Sequence, residues 1–158
     1  MATGHNSVVV DQRDGKIYNV FHTRFDNNGE NHQVRVHQLA MNEDAWPVML
    51  PYRTDGENLS DEIAEEDILG RYFFIDQGLK IDSEISEPKV VYLDKKGKLH
   101  GEDFSGTWSF SADNNQISFE VDNTELKGCI THMKDEAGTK VLAISVVGAN
   151  KSIWAVKY

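Results

Sequence analysis

The chain has 158 residues, 39% of them hydrophobic and 27% charged, a globular composition with enough length for one domain or one and a half small ones. A formal net charge of −10 and the lack of a basic stripe exclude a nucleic-acid partner, which requires a cationic face to displace counterions. The single cysteine, Cys129, excludes an intrachain disulfide, and no apolar run reaches the roughly 18 residues of a membrane span. Polar Thr3, His5 and Asn6 follow Met1 at once, so no signal peptide is expected at this position.

The predicted elements are almost all strands. Residues 8–10 are β-branched, and the segment from Asp11 to Lys16 carries an Asp14-Gly15 hairpin signal before a strand at 17–23 (IYNVFHT). A polar loop is expected at 25–32. The third strand, 33–41 (QVRVHQLAM), changes phase near His37-Gln38, which predicts either a bulge or a strand buried on both sides. A turn at Asn42-Glu43-Asp44 precedes a fourth short strand at 46–50, which Pro47 places at a sheet edge or at a strand start. Residues 51–67 break the pattern: Pro51 and Gly56 punctuate an acidic stretch with room for one helical turn. Acidity shifts across this boundary, with six acids and five bases in residues 1–53 against twenty and eleven in 54–158.

Beyond it, strands recur every 8–12 residues, at 71–75, 89–93, 107–111, 116–121, 126–132, 140–147 and 152–158, the signature of a barrel or sandwich. Trp108/Phe110, Ile117/Phe119/Val121 and Trp154/Val156/Tyr158 each alternate as half-buried strands do. Trp108, Phe110, Phe119, Val121 and Ile144 are the expected core. Lys95-Lys96-Gly97-Lys98 and Asp113-Asn114-Asn115 read as hairpin tips.

Four of the six histidines, His5, His22, His32 and His37, lie in the first 53 residues. Their spacing does not suit zinc: His32 and His37 point to opposite faces of one strand, and no His-Glu-x-x-His or Cys/His cluster is present. Nor is there an acid–base pair. Glu43-Asp44 diverge on a turn, Glu65-Glu66-Asp67 form a solvated run, and no carboxylate has the apolar setting that would raise its pKa for acid catalysis. The chain offers no catalytic residue of its own, and no substrate-binding residue is singled out.

Gly4-His5-Asn6-Ser7, Val20-Phe21-His22-Thr23-Arg24-Phe25, the RVHQLAMNEDAWPV segment at 35–48 and Pro51-Tyr52-Arg53, in this order and spacing, resemble the end of the catalytic β-propeller in family 43 glycoside hydrolases of the endo-1,5-α-L-arabinanase type. The similarity continues through Glu65-Glu66-Asp67-Ile68-Leu69-Gly70-Arg71-Tyr72, Gly106-Thr107-Trp108 and Ile153-Trp154, which resemble the accessory β-domain of those enzymes. Ala45 departs from the pattern, which has glycine there.

The resemblance implies an all-β chain: terminal propeller strands at 1–53, a linker at 54–67 and an antiparallel β-barrel-like accessory domain at 68–158. It implies that the catalytic carboxylates lie on another portion of the enzyme. His5 would help hold a calcium-centred water cluster, its single imidazole supplemented by waters because calcium prefers oxygen ligands. The expected partners are the N-terminal propeller portion as a second chain, or another copy of this one, together with arabinan or arabino-oligosaccharide, and the expected location is extracellular. Two other readings stand beside it. One is a stand-alone carbohydrate-binding module with Tyr72, Trp108 or Trp154 as stacking platforms. The other is a lipocalin-like barrel enclosing a small ligand.

Overall fold

The computed structural model describes residues 2–24, 29, 31–77 and 86–158. The loop expected at 25–32 lies largely outside them. Four antiparallel strands form an open sheet in chain order: β1 (Ala2–Val10), β2 (Ile17–Arg24), β3 (His32–Met41) and β4 (Pro47–Met49). The β1–β2 connection is a tight hairpin in which Gly15 takes φ 73° and the Asp11 carboxylate accepts from the Arg13 backbone and guanidinium. Pro47, which lacks an N–H, opens β4 at the outer edge of the sheet.

The register of β2 on β3 runs unbroken from Ile17–Leu39 to Arg24–His32, so no bulge interrupts the His37-Gln38 region. Residues 37–40 are instead buried on both faces. His37 packs against Phe21 on one side, and Ala40 joins an apolar cluster shared with the barrel on the other. The sheet's bulge lies in β1, between Gly4 and Ser7.

The remaining strands close into an eight-stranded antiparallel barrel: β5 (Gly70–Asp76), β6 (Lys89–Leu93), β7 (Lys98–Gly101), β8 (Ser105–Ser111), β9 (Gln116–Val121), β10 (Thr124–Lys134), β11 (Lys140–Gly148) and β12 (Lys151–Lys157). The sequence pattern does not reveal β7. It is four residues long with Leu99 as its one buried side chain, and its first residue doubles as the flank of the 95–98 tip. That tip is held by Asp94, whose carboxylate accepts from the Lys96 and Lys98 backbone N–H groups.

Alternation sends Tyr72, Phe74, Val91, Leu93, Phe119 and Ile144, with their neighbours, into one contiguous core that fills the barrel. Trp108, Val121 and the other expected core residues join them, while Phe110 is half-buried against the same cluster. In β12 the inward phase is Ile153 and Ala155. Trp154 and Val156 face the other way, and Tyr158 is 66% exposed, so both phases of this strand carry apolar residues. The reason is that the outer wall of β10, β11 and β12 is itself covered. Cys129, Met133, Val141, Ala143 and Val156 form a second cluster with Ala40 and Leu50, against which Tyr52 and Leu59 pack.

Residues 49–69 stitch the two parts together. The Met49 carbonyl accepts from Ser145 Oγ (2.7 Å) and Trp154 Nε1 (2.9 Å), and Asn115 Nδ2 donates to the Leu59 and Asp61 carbonyls (3.0 and 2.7 Å). Ile63 and Ile68, the latter in the single-turn α1 (Glu65–Ile68), insert into the barrel core.

Candidate functional site

His5 is the residue to which the sequence assigns a role, and β1 presents it in an uncommon way. Its φ of 51° lies in the left-handed region, where a side chain other than glycine is strained, and it sits in the Gly4–Ser7 bulge. The side chain is exposed, with its ring 5.5 Å from that of His22. His22 in turn stacks on His32 at 4.4 Å, with 11° between the ring planes. Three histidines that are far apart in sequence therefore line up across β1, β2 and β3.

Ring lone pairs lie in the imidazole plane, so rings stacked face to face do not converge their nitrogens on one point. Accordingly, no group of three or more His, Cys, Asp or Glu is placed to hold a metal ion among the described residues. Among the described residues, β1 offers a metal one exposed imidazole, His5, on a bulged edge strand. This fits a site whose other ligands are waters or come from elsewhere. Desolvation, then the neighbouring His32 and His5, lower the His22 pKa, so the middle of the row favours the neutral form.

His37 does not belong to this group. It lies on the opposite face of β3 from His32, buried, with Nδ1 2.8 Å from the Leu50 carbonyl, and burial lowers its pKa. The ring is neutral and donates that bond, a structural role.

The carboxylates singled out from the sequence are ion-paired or exposed, and the buried Glu57 accepts from Thr54 Oγ1 and the Asp55 backbone N–H (2.7 and 2.9 Å). Glu43 and Asp44 both reach Lys127 Nζ (2.9 and 3.2 Å), and Glu65-Glu66-Asp67 are exposed on α1. Hydrogen bonds from Arg13 hold the Asp11 carboxyl down at about 2. Lys134 lowers the pKa of Asp55, and backbone donors lower that of Asp94. The resolved carboxylate shifts among the described residues all run downward, opposite to what a general acid needs.

Of the aromatic platforms proposed from sequence, Tyr72 and Trp108 are buried. Tyr72 is fully buried and its hydroxyl donates to the Ile68 carbonyl. Trp108 is 7% exposed and donates to the Asp94 carbonyl, and Trp154 is half-buried with its indole N–H on the Met49 carbonyl. A lipocalin-like ligand chamber fares no better, because large side chains occupy the barrel interior.

By architecture this is a lipocalin-like antiparallel barrel with a filled core and an open sheet against its outer wall. A family model for the GH43 C-terminal lipocalin-like domain matches residues 51–155, and the chain belongs to that family. Over 99% of its length the chain is 36% identical to the extracellular endo-alpha-(1→5)-L-arabinanase 2 of Bacillus subtilis and 33% identical to that of Thermotoga petrophila, covering 33% and 34% of those proteins. The family 43 YxiA protein of Bacillus licheniformis superposes on 98% of it with a TM-score of 0.90 at 36% identity, using 35% of its own chain. The endo-1,5-alpha-L-arabinanase of T. petrophila superposes on 99% with a TM-score of 0.90 at 31% identity, again using 35% of its chain. The chain thus spans about a third of the length of the relatives it matches and corresponds to the C-terminal portion of an arabinanase-like family 43 glycoside hydrolase.

Proposed function

We propose that this chain acts as the C-terminal part of an endo-1,5-α-L-arabinanase. In this reading its four-stranded sheet completes a β-propeller contributed by an N-terminal portion, and that portion carries the catalytic carboxylates. The observation that carries this reading is that 99% of the chain aligns with about a third (33% and 34%) of two extracellular arabinanases, across the sheet as well as the barrel. The open β1 edge supports it, because an unpaired strand exposing Val8, Val9 and Val10 is a template for a neighbouring strand.

His5 would supply one imidazole to a calcium-centred water cluster in the cleft. The metal, when bound, would organise water and substrate oxygens there. This chain's contribution is to hold the ring outward on the bulge, with His22 behind it. Both relatives are named extracellular, which supports an extracellular location for the assembled enzyme.

The test is reconstitution with the N-terminal propeller portion. The chain alone should release no reducing sugar from debranched arabinan, and the complex should. His5→Ala should lower the activity of the complex at least about tenfold and abolish its calcium-dependent thermal stabilisation. Turnover by the purified chain alone would overturn the division of labour. Equal activity and equal calcium response in mutant and wild-type complexes would remove His5 from the site.

A further inference from the structure

The four-stranded sheet and the segment after it cover β10, β11 and β12, but the next stretch of outer wall, on β5, β6 and β7, is differently equipped. There the alternation that sends Tyr72, Val91 and Leu99 inward turns Arg71, Phe73, Tyr92 and His100 outward. These groups form one continuous strip. The Tyr158 ring meets Phe73 edge-on (6.1 Å, 79°), and the Arg71 guanidinium lies 4.4 Å from the Phe73 ring centroid. Arg71 is directly opposite Tyr92 across β5–β6, and Tyr92 is opposite His100 across β6–β7. The last two rings are 5.7 Å apart and within 20° of parallel. Tyr92 is 43% and Tyr158 66% exposed.

Mutual packing holds these planar groups in place before any ligand arrives, which lowers the ordering cost of binding. Neighbouring strands are about 4.8 Å apart, so the strip crosses roughly 10 Å of wall from β5 to β7. Beyond His100 it opens into a shallow depression of about 670 Å³, whose lining includes Ser105, Thr107, Asp122 and Asn123. Aromatic faces leading into a row of hydroxyl, amide and carboxylate groups match a ligand with apolar C–H faces and hydroxyl edges. Asp94, Glu120 and Asp122 outnumber Lys98 around the depression and, within a chain of net charge −10, disfavour a polyanion. An apolar peptide would leave these same groups desolvated and unpaired.

We infer that this strip is a binding platform for an extended, neutral polysaccharide. Taken with the arabinanase reading above, on which this part rests, the polymer is arabinan, gripped on the barrel and apart from the site at His5.

Affinity electrophoresis of the whole 158-residue chain tests this, in native gels cast with debranched arabinan and, in parallel, with a soluble mixed-linkage glucan. The wild type should be retarded by arabinan. Tyr92→Ala should bind roughly tenfold more weakly and Tyr92→Phe nearly as well as wild type, both with an unchanged thermal midpoint because the side chain lies outside the core. Arg71→Ala and His100→Ala provide independent variants should Tyr92→Ala lose its fold. Retardation by neither polymer, or retardation untouched by all three alanine variants, overturns the platform. Tyr92-dependent retardation by glucan alone keeps the platform and counts against the arabinanase reading. An active reconstituted arabinanase whose C-terminal chain is not retarded does the reverse. Tyr92-dependent dimerisation without polymer binding would show an interface between copies and overturn the inference.

Discussion

At the turn between β3 and β4 the chain folds back on Asn42, whose side-chain carbonyl accepts from the backbone of Asp44 and Trp46. Closing that turn forces Ala45 to φ 57°, a conformation that an L-residue with a Cβ reaches at a cost of about 1–2 kcal/mol. The resemblance leads to an expectation of glycine at this position, a residue that takes such a φ without strain. Ala45→Gly should therefore stabilise the chain by about 1 kcal/mol in urea denaturation, against the usual direction for glycine. A loss of stability would mean that the turn relaxes around the methyl group. His37 makes a second prediction at this scale. Its ring is neutral when folded, whereas an unfolded histidine takes up a proton near pH 6.5. The contribution of His37 is therefore complete above that value and is lost as pH falls from about 6.5 through the lowered folded pKa. His37→Gln should flatten the fall in thermal midpoint between about pH 7 and about pH 5. Parallel pH profiles for mutant and wild type would show that other groups set the slope. The role proposed for His5 rests on the resemblance alone: no spacing rule signals a left-handed histidine in a bulge. The row of His5, His22 and His32 was not legible, because it depends on a register that three separate strands set together.

Among the elements, those with a strong two-residue period were readable. β8 and β9 lie where alternation of Trp108, Phe110, Ile117 and Phe119 places them. β7 escaped because four residues with one inward side chain give no period to detect. β12 was found, yet its core-facing phase is the smaller pair, Ile153 and Ala155, since a strand covered on both walls has no polar phase to mark the outside. The close seam between β10 and β11 was also hidden. Gly128 lies opposite Val146, and a Cβ built on Gly128 would come 1.8 Å from the Ser145 carbonyl oxygen. The obstacle is backbone, which cannot rotate aside. Gly128→Ala should cost about 3 kcal/mol or more, read as a drop in the urea midpoint and loss of near-UV circular dichroism from the packed tryptophans. A midpoint within error of wild type would show that the seam can open without cost.

For the molecule as a whole, the two parts differ in how completely they satisfy their own surfaces. The barrel closes on itself and leaves no edge. The sheet does not: β1 is an outer strand with Val8, Val9 and Val10 at 60%, 49% and 48% exposure, and Val34 at 69% adds to the uncovered apolar area. Such an edge recruits another strand. Light scattering on the chain alone should show self-association, relieved by the N-terminal propeller portion. Hydrogen exchange should be fast across β1 and slow across β10, β11 and β12. A strictly monomeric chain with a well-protected β1 would contradict this. Uncovered apolar side chains on this sheet, such as Val34 and Met41, were legible from the sequence, because residues 1–53 hold more apolar strand positions than four strands can cover.

The double coverage of β10, β11 and β12 bears on how this module can be moved between proteins. A barrel excised at residue 68 would carry Cys129, Met133, Val141, Ala143 and Val156 into water, and Ile63 would be missing from its core. Ala40, Leu50, Tyr52 and Leu59, which come before that cut, are its outer wall. The inheritable unit is therefore larger than the closed ring of strands. Any recombination that gives this barrel a new neighbour must bring along the stretch from β3 to the connector, or else redesign the outside of three strands at the same time.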